Sequence, residues 1–111
     1  MTEQPPLTET TFLILLSLSH GPRHGYAILK EVESLSGGRV LLSTGTLYGA
    51  LKRFLEDGLI QRIDDPLPNP TERARKAYVL TMHGRRALNA EAARMRKLVA
   101  LVPAQTGDGS L

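Results

Sequence analysis

Residues 43–64 read Ser43-Thr44-Gly45-Thr46-Leu47-Tyr48-Gly49-Ala50-Leu51-Lys52-Arg53-Phe54-Leu55-Glu56-Asp57-Gly58-Leu59-Ile60-Gln61-Arg62-Ile63-Asp64. Ser43 is a good helix N-cap, because its hydroxyl can accept from a free first-turn N–H. Leu47, Leu51, Phe54 and Leu55 follow at i, i+4, i+7 and i+8, one face of a helix that runs to about Asp57. Gly58 ends it, and Leu59–Asp64 then reads as a short strand. Thr44, Tyr48 and Lys52 line a second helix face at intervals of four, with Thr46 and Arg53 flanking. A helix entered through hydroxyl residues, apolar on one side and polar on the other, and passing directly into a strand, is the centre of the reading.

Working downstream, Lys76–Leu80 is a second strand, and residues 65–75 lie between the two. Pro66, Pro68 and Pro70 keep that piece from being helix or central strand, so it reads as the loop of a hairpin. Thr81 caps a last helix that extends to about Val102 and stops at Pro103, leaving 103–111 as a disordered tail. Upstream, Ile28, Leu29, Val32 and Leu35 give helical spacing over His24–Ser36, closed by Gly37-Gly38. Before that, Thr8 caps an apolar run through Phe12, Leu13, Ile14, Leu15, Leu16 and Leu18 that ends at Gly21-Pro22. Residues 1–6 form a flexible arm. The run could also be a buried strand, but its cap and length favour helix. The expected fold is mainly α (α+β): a winged helix-turn-helix with three N-terminal helices, a two-stranded β-hairpin wing and a long C-terminal helix. Residues 1–80 form the DNA-binding domain and 81–102 the dimerisation helix.

Composition sets the outer bounds. At 111 residues, 41% of them hydrophobic, the chain suits one packed domain. It has no cysteine, which removes disulfides, thiolate metal sites and cysteine nucleophiles, and fits a reducing cytoplasm. No apolar run approaches the roughly 20 residues that a membrane span needs. Net charge is +3, with the excess in the second half: residues 81–111 carry five basic and two acidic side chains. His20, His24 and His83 are scattered, with no acid at ligand spacing, and no catalytic motif occurs. Neither enzyme activity nor a metal or other cofactor is expected.

The third helix lies in the major groove of DNA in a winged helix-turn-helix. Its open N-terminus with Ser43, Thr44 and Thr46 suits a phosphate, and Tyr48, Lys52 and Arg53 sit where they can reach phosphate or base edges. The plainer alternative is an ordinary solvated face. Gly45 and Gly49 argue against it, since each costs a helix about 0.5–1 kcal/mol relative to alanine unless something must approach closely. Arg73, Arg75 and Lys76 give the wing a basic tip, though Asp64, Asp65 and Glu72 lie nearby. In the last helix Leu88, Ala92, Met95, Val99 and Val102 recur at steps of four, three, four and three, the spacing of a coiled-coil seam. That stripe is longer than one small domain can cover, so a second copy is expected on it.

Taken in order, several segments resemble the PadR family of bacterial transcriptional regulators over residues 7 to about 100. They are Leu7 ahead of the first helix, His24-Gly25-Tyr26, Ser43–Leu51, Glu56-Asp57-Gly58-Leu59-Ile60, and Tyr78-Val79-Leu80-Thr81 with Gly84-Arg85. The resemblance implies a homodimer held by the first helix (Phe12, Leu15, Leu16) and the last. It implies repression at a two-fold-symmetric double-stranded operator through Ser43, Thr44, Thr46, Tyr48 and Lys52, and a wing around Arg73 and Arg75 on the flanking groove. Some relatives take aromatic or drug-like effectors with a tryptophan of the last helix. This chain has no tryptophan, so it departs from that pattern and effector binding of that type does not carry over to it; a possible small-molecule effector stays unidentified. The alternatives are a protein–protein contact module that has lost DNA binding, and a drug- or phenolic-responsive form of the repressor.

Overall fold

The computed structural model describes residues 6–65 and 75–104. The arm before Pro6, the proline-bearing loop with Arg73, and residues 105–111 of the tail lie outside the described residues. Seven elements follow in order: α1 (Glu9–Ser17), β1 (Arg23–His24), α2 (Gly25–Leu35), α3 (Thr44–Glu56), β2 (Ile60–Asp65), β3 (Arg75–Leu80) and α4 (Met82–Ala100).

Hydroxyl caps start three of the four helices. Thr8 accepts from the Thr11 N–H at 3.1 Å, Ser43 from Thr46 at 3.0 Å and Thr81 from Gly84 at 3.0 Å. α1 ends at Ser17, short of Gly21-Pro22. The reason is local: the Ser17 hydroxyl donates to the Ile14 carbonyl at 2.6 Å and Ser19 to Leu16 at 2.7 Å. The backbone tightens to three-residue bonds there, Leu18 to Leu15 and Ser19 to Leu16, both 3.0 Å. α3 ends at Glu56 with Asp57 as its C-cap, and Gly58, at a positive φ of 75°, turns the chain toward β2.

The sheet has three strands, not the two read from sequence. Its order is β1-β3-β2, all antiparallel, with Ile60 opposite Leu80 and Asp65 opposite Arg75 in the hairpin. Arg23 and His24 pair with Tyr78 and Ala77. Two residues between a proline and a helix carry no alternation, so β1 has no sequence signature. It matters nonetheless, because it binds the start of α2 to the wing. Arg23 strengthens the junction by donating to the Ser17 carbonyl at 2.6 Å and lying 3.7 Å from Glu31.

Ile14, Leu15, Leu18, Ile28, Val32, Leu47 and Leu51 are fully enclosed at the centre, and Phe54, Leu59, Ile60, Tyr78, Ala87 and Leu88 complete the core. Only the first half of α4 shares in it. That half is seated by Gly84: a Cβ there would overlap the Leu59 carbonyl oxygen and stand 2.9 Å from its carbon. Thr81 reinforces the seat, its hydroxyl donating to the Gly58 carbonyl at 2.5 Å and its N–H to Leu59 at 3.1 Å. One turn beyond Leu88, the carboxylate of Glu91 is only 4% exposed. It is hydrogen-bonded by Arg94, and the Leu7 backbone also favours its ionised form, so α4 meets the chain leading into α1 here. The Arg94 hydrogen bond keeps the Glu91 carboxyl below its ordinary value, overcoming the opposing effect of burial.

Gly84→Ala meets main chain rather than a flexible side chain, so it is expected to cost about 1–3 kcal/mol in urea unfolding, as overpacking does. An unchanged midpoint would show that α4 does not need the close approach. Glu91, with its folded pKa depressed, stabilises the fold above the ordinary carboxyl value of 4.5, and that contribution fades as pH falls through it. The melting temperature should therefore drop on acidification below about that value, and Glu91→Gln should have a flatter acid limb than the parent.

Candidate nucleic-acid interface

α3 turns Leu47, Ala50, Leu51 and Phe54 into the core. The other side is open: Ser43, Thr44, Gly45, Thr46, Tyr48, Gly49, Lys52 and Arg53 are all exposed. The residues expected on DNA from this helix thus share one continuous surface. Ser43 spends its hydroxyl on the cap, accepting from the Thr46 N–H and donating to the Thr46 side chain at 2.9 Å. Arg53 folds back toward the Gly49 carbonyl at 3.4 Å. Among the described residues, nothing that packs from elsewhere in the fold lies within 4 Å of where a Cβ of Gly45 or Gly49 would stand. Neither glycine is there to let the protein pack against itself.

Tyr48, 45% exposed, leaves the helix toward the start of α2, where its ring tip lies over Gly25. It shares an open cleft of about 370 Å³ with His24, Gly25, Tyr26, Lys76 and Tyr78. All three tyrosines of the chain meet there. Tyr26 stands outermost, with the Lys30 ammonium 5.9 Å from its ring centre. Tyr78 is buried, and its phenol is pushed up by that burial, with the neighbouring Tyr48 adding to the shift and an Arg62 hydrogen bond opposing it. Tyr26, Arg62 and Tyr78 were not singled out as site residues in the sequence. Only the pairing of β3 with both β1 and β2 brings them beside α3, and no linear spacing reports that.

The wing is less cationic than its sequence. Lys76 donates to Asp64 across the hairpin at 2.6 Å, and that hydrogen bond holds the Asp64 carboxyl below its usual range. The pair is exposed and adds little to stability, but it ties up the lysine at the root of the loop. Arg75 occupies the first position of β3, opposite Asp65.

The residues expected at the dimer interface separate into two groups. Leu15 and Leu88 are enclosed in this chain's own core, and Phe12 and Leu16 are half-buried against it. Ala92 and Met95 are half-buried, while Val99 is 69% exposed. Leu98, Leu101 and Val102 are exposed as well, Val102 lying past the end of the helix rather than within it. An apolar groove of about 430 Å³ runs along Ala92, Met95, Arg96, Val99 and Ala100. α4, at 19 residues and about 28 Å, carries this face away from the core. No helix among the described residues is long and apolar enough to cross a membrane.

Three helices, a wing and a helix that leaves the domain define a winged helix-turn-helix protein. The family described as the transcriptional regulator PadR-like family matches residues 14–90, and the chain belongs to it. It is similar to a PadR family transcription regulator from Clostridium difficile, with 26% identity and a TM-score of 0.72 over 85% of this chain and 94% of that one. The same fold occurs in Bacillus subtilis PadR, whose structure was determined in complex with operator DNA: 23% identity, TM-score 0.65, over 91% of this chain and 52% of that one. A protein of transposon TN4556 from Streptomyces fradiae is 36% identical over 90 residues, which are 81% of this chain but only 24% of that protein.

Gly49 permits a direct check on its role in the fold. Since its Cβ position is empty space, Gly49→Ala should stabilise the protein by about 0.5–1 kcal/mol. A lower melting midpoint would mean that the glycine serves internal packing after all.

Proposed function

We propose that this protein is a homodimeric transcriptional repressor that binds a two-fold-symmetric operator, laying α3 in the major groove and its wing on the flanking groove. The observation that carries the reading is the outer face of α3. It combines hydroxyls at an N-terminus, a tyrosine and a lysine with two glycines that no packing among the described residues requires. Bare backbone at Gly45 and Gly49 lets the helix sit deep in a groove, with Thr44, Thr46, Tyr48 and Lys52 around the contact. Phosphate contacts supply most of the affinity, and base-edge contacts the choice of site. The Bacillus subtilis relative bound to operator DNA supports the same use of the fold here.

The free end of α4 supports the dimer. A second copy can cover Ala92, Met95, Val99 and the exposed leucines through a two-fold contact. Such a pair presents two α3 helices about 34–36 Å apart, one turn of DNA, and so recognises an inverted repeat. Regulation at the chromosome places the protein in the bacterial cytoplasm.

The test is a mobility shift on the DNA upstream of the protein's own gene, over a salt series with unrelated competitor. A discrete complex that resists competitor and weakens steeply with salt is expected. Equal, weak binding to every duplex would contradict an operator-binding repressor. Gly49→Ala, though more stable, should bind that DNA less tightly than the parent. Met95→Glu with Val99→Glu should sediment as a monomer and lose the discrete complex. A dimer in that variant would move the interface elsewhere.

A further inference from the structure

The contact between Gly25 and Tyr48 joins two helices at the point where the DNA face begins. Gly25 opens α2 directly after β1 and is buried. Its backbone carries no positive φ, so an alanine could adopt the same conformation. What excludes alanine is a single neighbour. The three atoms nearest to a Cβ at this position all belong to Tyr48: the added carbon would overlap the phenol oxygen, lie 2.7 Å from Cζ and 3.4 Å from Cε1. These atoms are the far end of a side chain, not main chain. A Cβ at Gly25 would therefore displace the tyrosine and leave the fold standing, in contrast to one at Gly84, which meets a carbonyl.

We infer that Gly25 is a positioning residue for DNA recognition: the notch it leaves in the first turn of α2 fixes the pose of Tyr48 on the outer face of α3. The inference rests on the reading of that face as a DNA surface, and gives one of its side chains a defined direction. Without the notch, Tyr48 stands on an exposed helix face with nothing to hold its ring. With the notch, the phenol end of the ring is seated over Gly25, at the edge of the cleft that Tyr26, Lys76 and Tyr78 also line. β1 makes the device rigid, since its pairing with β3 sets where α2 starts. A preset side chain loses less conformational freedom on binding than a free one.

A double-mutant cycle on the full-length protein tests this, with affinity for its upstream DNA and melting temperature as readouts. Gly25→Ala should keep the parental melting temperature within a few degrees and shift the Tyr48 ring resonances. It should weaken DNA binding about tenfold, the loss of one good contact. Tyr48→Ala should weaken binding by a similar factor, and adding Gly25→Ala to it should cost nothing more. A Gly25→Ala penalty that persists in the Tyr48→Ala background, in affinity or in folding, would overturn the positioning role. So would a Gly25→Ala protein that binds DNA like the parent while Tyr48→Ala does not. If instead Tyr48→Ala binds DNA normally, the assignment of Tyr48 to the DNA surface fails, and the positioning role falls with it.

Discussion

The close approach of α4 to the end of α3 sets how the other elements are arranged. Gly84 rests on the Leu59 carbonyl, and Thr81 bonds both Gly58 and Leu59. Those two residues are the hinge between α3 and the wing. One contact therefore fixes three directions: that of α3 as it ends, of β2 as it begins, and of α4 as it leaves the core. Because the obstacle at Gly84 is main chain, these directions cannot drift independently. In a dimer formed through the far end of α4, the separation of the two α3 helices would be set at this point, some distance from the DNA.

The same economy governs the two faces of α3. Its inner face is ordinary core packing, with Leu47 and Leu51 fully enclosed. Its outer face gives up helix stability at Gly45 and Gly49 without any return among the described residues, and that cost makes sense when another molecule supplies the return. The wing contributes shape more than charge in the described residues, because Lys76 is paired with Asp64. Most of the affinity would then come from α3, with Lys52 and Arg53, neither of them ion-paired among the described residues, as its cations and Tyr48 as its held contact.

Much of this was readable from the residues. The caps at Thr8, Ser43 and Thr81, the stop at Gly58 and the core face of α3 are local signals, and each lies where its chemistry places it. The third strand was not readable, since Arg23 and His24 are strand only because Tyr78 and Ala77 lie beside them. Periodicity also overstated the outward face: Leu88 keeps the seam spacing of α4 yet is spent inside, since a seam pattern does not say where a helix leaves its own domain. Leu15 is alike, on a helix apolar nearly all round. The cleft of three tyrosines escaped for the same reason as β1. Positions 26, 48 and 78 share no spacing and meet only through the sheet.

Amide NMR of the labelled protein with added duplex would show whether the outer face of α3 is the DNA surface. At low salt even a non-specific duplex suffices, because phosphate contacts dominate such binding. The predicted result is a cluster of shifted or broadened amides over residues 43–53 and at the start of α2, with the α4 end from Met95 onward unchanged. Shifts confined to α4, or an α3 that stays silent while DNA binds elsewhere, would contradict it.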